Sequence, residues 1–157
     1  MTQKLSMGEP APPFTLNDKD GNAVSLSDFR GKWVALYFYP RDNTSGCTTE
    51  ARDFSALLTD FEDKDAVVIG ISGDSEASHA KFAAKHDLTV TLLSDPDHHA
   101  LEAYGVWQKK KMAGREFMGI VRTTFLIDPD GVIREVWEKV NVKAHAETVH
   151  QALCNLR

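Results

Sequence analysis

From Trp33 to Tyr39 the chain reads WVALYFY, an apolar run that ends at Pro40. Hydrophobicity without the alternation of a half-exposed strand is what a strand buried on both faces requires, so the run calls for a sheet covered by helices above and below. It is expected to be the central strand. Behind the proline come the polar residues RDNTSG and then Cys47, at the start of a helix expected over about Thr48 to Phe61, where Ala51, Phe54, Leu57, Leu58 and Phe61 fall at helical spacing. A thiol there faces the partial positive charge of the first helical amides, which favours an anion and draws a cysteine down from its free pKa of about 8.5. The alternative is a small apolar filler, since unpaired cysteines are among the most buried residue types. The neighbours Thr44, Ser45, Gly46, Thr48 and Thr49 are polar or tiny, which favours the reactive thiol.

The rest of the chain supplies the layers. Phe14–Thr15–Leu16 and Val24–Ser25–Leu26 bracket NDKDGN, whose Asp20–Gly21 pair signals a β-hairpin. Ala66 to Ser72 reads as another buried strand, followed by a helix from Glu76 to about His86 and a short strand over Thr89 to Leu93. Asp95–Pro96 opens a short helical segment through Tyr104. Strands follow at Phe117 to Val121, Thr123 to Asp128 and Val132 to Trp137, and a last helix covers about Val142 to Leu156. Strands alternating with helices, and a hairpin at each end, predict an α/β fold with a central mixed sheet flanked by helices. By pattern alone a thioredoxin-like and a flavodoxin-like order remain alternatives.

Length and charge exclude several classes. A chain of 157 residues, 42% of them hydrophobic, is expected to form one domain spanning 1–157, large enough to bury a core without staples. A net charge of −5 argues against nucleic-acid and anionic-membrane partners. Lys109–Lys110–Lys111, the one basic block, reads as a solvated turn. No stretch approaches the ~18 apolar residues of a membrane span, and the first residues lack the apolar core of a signal peptide. A cytoplasmic location follows as the expectation. Two cysteines make no disulfide framework, and without C-x-x-C a thioredoxin-type exchange motif is absent.

Pro40, Thr44 and Cys47 form P-x-x-x-T-x-x-C, and with the flanks GKWVALYFYP, FYPRDNTSGCTTEARDF and RTTFLIDPDG the chain resembles the peroxiredoxins, in particular the bacterioferritin-comigratory (Q-type) branch. The likeness runs from APPFTL to the last helix. It implies a thioredoxin-like fold and a thiol peroxidase acting on hydrogen peroxide and organic hydroperoxides, without metal, haem or nucleotide cofactor. The resemblance makes Cys47 the peroxidatic thiolate that becomes sulfenic acid. It gives Thr44 a hydroxyl for sulfur and peroxide, Pro40 the shielding of the sulfur, and Arg122 the cation. Without the resemblance, Thr44 and Pro40 are equally well a turn hydroxyl and a strand stop, and Arg122 a surface residue. Glu50 is either a partner of the active-site arginine or an acid suited to a helix start.

The departures bear on the catalytic cycle. Ser45 stands where the family usually has proline. Arg52 stands where many Q-type members carry a resolving cysteine, and Ala83 and Ala84 fill the alternative place in the next helix. That leaves Cys154. Wound at roughly 100° per residue, the last helix carries Val142, Ala146, Val149, Leu153 and Leu156 in one stripe with Cys154 on its flank, so it is a spare surface thiol or a resolving one. The expected cycle uses Cys47 alone, reduced by an external small thiol or thioredoxin-like protein, in a monomer or weak homodimer. The rival functions are a redox sensor or partner-binding protein with incidental turnover and, less compatible with the missing C-x-x-C, a disulfide isomerase-like protein. His98–His99 beside Asp95 and Asp97 mimic a metal site, but adjacent histidines diverge on a helix and solvent exposure is expected. No chemistry is assigned to His79, His86, His145 or His150.

Overall fold

A computed structural model describes residues 5–156. Seven strands, β1 (Thr15–Asp18), β2 (Ala23–Ser25), β3 (Trp33–Phe38), β4 (Ala66–Ser72), β5 (Thr91–Ser94), β8 (Thr123–Ile127) and β9 (Ile133–Glu138), form one mixed sheet in the order β2-β1-β5-β4-β3-β8-β9. The apolar run is β3, buried at every residue and held between parallel β4 and antiparallel β8. Its alternation divides the core. Trp33, Ala35 and Tyr37 face one layer with α1 (Ser45–Ala56), α2 (Leu58–Glu62), α3 (Glu76–His86) and α5 (His145–Leu156); Val34, Leu36 and Phe38 face the other with α4 (His99–Ala103), Phe14 and Tyr104. Tyr37 stacks on Phe54 with centroids 4.8 Å apart, and Gly70 makes this possible on β4, because a Cβ there would lie 2.6 Å from the tyrosine ring.

Three features differ from the sequence expectation. The helix of Thr48 to Phe61 is broken at Leu57 (φ −97, ψ 4), which draws the Phe54 and Phe61 rings to 5.9 Å in one core. The lysine block is no turn: Lys109–Lys111 lie in β6 (Trp107–Met112), paired with β7 (Arg115–Ile120) as a separate two-stranded hairpin. The turn is Ala113–Gly114, and Met112, Phe117 and Met118 stand exposed along the hairpin. Finally, His98 is half-buried, its ring 4.0 Å from that of Trp107, while buried Asp95 caps α4 by accepting hydrogen bonds from the His99 and Leu101 amides. Among the described residues, no helix is long and apolar enough to cross a membrane.

Candidate active site

Because β3 ends at Phe38 and α1 begins at Ser45, the link Tyr39–Thr44 decides where Cys47 stands. Thr44 is the N-cap residue, and the first ladder bond runs from the Thr48 amide to the Thr44 carbonyl at 2.9 Å. Cys47 therefore lies in the first turn, where the amides of residues 45–47 precede that ladder and favour negative charge. Its sulfur is buried but not sealed among hydrocarbon. Arg122, in the link between β7 and β8, donates from Nη2 to Sγ at 3.3 Å. The antiparallel pairing of β3 with β8, which puts Phe38 opposite Thr123, carries Arg122 to this end of the sheet.

The other arm of the guanidinium donates from Nη1 to Glu50 Oε1 at 2.6 Å, so one planar fork joins Cys47 to a buried carboxyl on the same helix. The glycine before the cysteine keeps the space open, since a Cβ on Gly46 would lie 3.2 Å from Arg122 Nη2. Burial pushes Glu50 up to about 7 against the pull of Arg122, and its buried Oε2, without a hydrogen-bond partner, is the atom that can carry the proton. Burial also opposes the charge on Arg122, but Glu50 and then Cys47 outweigh it and hold the guanidinium above its ordinary range. Tyr37, buried and with its hydroxyl unpartnered, is pushed well up by burial and then by Glu50 and Cys47.

Of the residues singled out by sequence, Cys47, Arg122 and Glu50 are in direct contact. Pro40 is half-buried just beyond β3. Thr44 is exposed and donates its hydroxyl to the Arg41 carbonyl at 3.0 Å, with the hydroxyl lone pairs free to accept. Cys154, half-buried on α5, has its sulfur 3.8 Å from His150 Nε2; both cysteines are free thiols.

Two buried groups escaped the sequence reading. His145 opens α5, with Nε2 2.8 Å from Thr124 Oγ1, and is pushed down to about 4, first by burial and then by Arg122. Asp42, within YPRDNT, meets His79 of α3 at 2.8 Å between Oδ2 and Nδ1. Burial opposes ionisation of Asp42, yet hydrogen bonds from His79, Tyr39 and Ser78 prevail and hold its carboxyl below the usual range. The available signal was an acid in a turn leaving a buried strand and a histidine on the Phe82 face of α3. Asp42, Asp74 and His79 come close enough to ligate a metal, but the Tyr39, Ser72 and Ser78 hydroxyls and the Asp42 amide already donate to these carboxylates. That donor set does not fit a cation.

Glu50 and His145 pull stability in opposite directions with pH. Glu50 is raised from 4.5 to about 7, so the stability its proton supplies is full below 4.5 and is lost as pH rises through 7. His145 is lowered from 6.5 to about 4, so its contribution is full above 6.5 and is lost as pH falls toward 4. Glu50→Gln should therefore make stability rise more steeply with pH between 4.5 and 6.5, and His145→Gln should make it fall, each by up to about 1 kcal/mol per pH unit. Urea melts across this range check the slopes; parallel curves for the two variants would contradict both assignments.

Comparison with known proteins agrees with this geometry. A model of the AhpC/TSA family matches residues 7–136. Peroxiredoxin Bcp of Bacillus subtilis (strain 168) is 48% identical over 149 residues, 95% of each chain. The structure of the Xanthomonas campestris bacterioferritin comigratory protein, described for its alkyl peroxide reduction activity, matches with a TM-score of 0.87 and 40% identity over 91% of each chain. A Xylella fastidiosa PrxQ mutant matches with a TM-score of 0.86 and 39% identity, covering 99% of this chain and 96% of that one. A thioredoxin-like sheet, a thiol in the first turn of α1 and relatives of this similarity over nearly the whole length place the chain in the AhpC/TSA family, as a thiol-dependent peroxidase of the bacterioferritin-comigratory, Q-type branch of the peroxiredoxins.

Proposed function

We propose that the enzyme reduces hydrogen peroxide and organic hydroperoxides with Cys47 as the attacking thiolate. The observation that carries this reading is the 3.3 Å contact of Arg122 with the Cys47 sulfur at a helix start, with the same guanidinium fixed by Glu50. The thiolate attacks one peroxide oxygen and the O–O bond breaks. The departing alkoxide or hydroxide takes a proton, and Cys47 is left as sulfenic acid. Arg122 and the first amides of α1 stabilise charge on the leaving oxygen, the Thr44 hydroxyl lies at the open side of the turn, and Pro40 limits water at the strand end. An external thiol then attacks the sulfenic sulfur and releases water. A second thiol breaks the mixed disulfide and restores Cys47.

Resolution from outside is supported by Arg52, Ala83 and Ala84 at the usual resolving positions and by Cys154 bonding to its own helix neighbour His150. The reading includes a chain that folds as one domain, acts in the cytoplasm as a monomer or weak dimer, and needs no cofactor. Cys154→Ser should keep turnover with an external dithiol within about twofold of the unaltered enzyme. Mass spectrometry after one equivalent of peroxide should find a sulfenic acid or its adduct at Cys47. A Cys47–Cys154 disulfide, or turnover lost in Cys154→Ser, would overturn the external-thiol cycle.

A further inference from the structure

The link that carries Thr44 toward Cys47 is fastened at one buried residue. Asp42 is 6% exposed, and its amide donates to Asp74 Oδ2 at 2.8 Å. Its carboxylate accepts from the Tyr39 hydroxyl on Oδ1 at 2.7 Å, and on Oδ2 from the Ser78 hydroxyl at 2.7 Å and His79 Nδ1 at 2.8 Å. His79 is fully buried, and its other nitrogen, Nε2, lies 3.0 Å from the Leu93 carbonyl of β5. A carbonyl can only accept, so Nε2 carries a hydrogen; one further proton lies between Nδ1 and Oδ2. Every polar side-chain atom of the pair is thereby used. The next residue, Asn43, has a left-handed backbone (φ 63), and its side chain meets His86 Nε2 at 3.3 Å. Thus α3, β5 and the end of β4 together grip a short turn whose far end is the N-cap of α1.

We propose that Asp42 and His79 are positioning residues for the peroxidase reaction: their buried pair latches the Pro40–Thr44 turn onto α3 and so sets how a peroxide is aligned on Cys47. The proposal rests on the peroxidase reading above. It deepens that reading by naming what orients the turn. The two residues touch neither sulfur nor substrate in this account. Their effect should therefore fall on alignment, which peroxide attack demands and simple alkylation does not.

The test compares two rates on the full-length reduced protein, with hydrogen peroxide and with iodoacetamide. Asp42→Ala should slow the peroxide reaction by about 10–100-fold, the scale expected of an ångström-size misplacement, and leave alkylation of Cys47 within about threefold. Asp42→Asn should restore most of the peroxide rate, because its amide can donate to the unprotonated Nδ1 of a neutral His79 while its oxygen still accepts from Tyr39. If Asp42→Ala does not fold, the Tyr39→Phe, Ser78→Ala double variant, which removes two of the three side-chain donors, decides on the same ratio. An unchanged ratio in the folded variant, an equal loss in both rates, or an Asp42→Asn protein as impaired as Asp42→Ala would overturn the latch. A failure of the peroxidase reading is separately visible, because the unaltered protein would then react with peroxide no faster than a free thiol.

Discussion

Cys47→Ser should reduce peroxide consumption, measured with excess dithiothreitol, by on the order of 10⁴-fold or more, the scale of removing a covalent nucleophile. The substitution is nearly isosteric and leaves the Arg122–Glu50 contact in place, so the fold and its melting temperature should change little. What disappears is the nucleophile itself, since a serine hydroxyl has no appreciable anionic form near neutral pH. Circular dichroism separates the chemical loss from unfolding. Retention of roughly a hundredth of the activity or more would move the chemistry to Cys154.

Arg122→Lys should lower the peroxide rate by roughly 10²–10³-fold, the cost of losing an aligned donor to developing charge. The guanidinium serves two partners at once, 2.6 Å from Glu50 and 3.3 Å from the Cys47 sulfur. A single ammonium cannot reproduce that planar fork. Arg122→Met should be at least as slow and should also lose about 1–3 kcal/mol of stability, because Glu50 keeps a buried carboxyl stripped of its donor. Pairing Arg122→Met with Glu50→Leu separates the two effects. Removing the stranded carboxyl should return much of the stability but none of the rate. Recovery of the rate in the double variant would show that Arg122 acts only as the counter-charge of Glu50.

The parts of this molecule legible in sequence are those set by local pattern. WVALYFY specifies a strand buried on both faces, and that strand with the turn behind it points to the end of the sheet where Cys47 lies. The fold family came from resemblance, because an alternating pattern of strands and helices does not fix strand order. Contacts between distant partners are not written in local pattern. In sequence Glu50 is open between a partner of the active-site arginine and a helix-start acid, with Arg122 supplied as that arginine by resemblance alone. No local feature decides for a contact across 72 residues, and the pairing of Asp42 with His79 stayed hidden altogether. Phe117 to Val121 is expected as a strand and overlaps β7, but its partner β6 was missed for a different reason. Apart from its root the hairpin buries little, so β6 shows no hydrophobic alternation and KKKMAG reads as a solvated loop. The break at Leu57 likewise answers to the packing of Phe61 beside Phe54, which helical spacing alone does not encode.

The central claim is that one sulfur, held by Arg122 at the start of α1, is built for peroxide. Stopped-flow mixing of the fully reduced protein with a hydroperoxide, in the absence of any reductant, tests it most directly. The expected result is a single fast phase, first-order in peroxide and second-order overall, consuming one equivalent per chain at a rate orders of magnitude above that of free cysteine, and absent in Cys47→Ser. A rate no faster than free cysteine, or an equally fast phase surviving in Cys47→Ser, would contradict it.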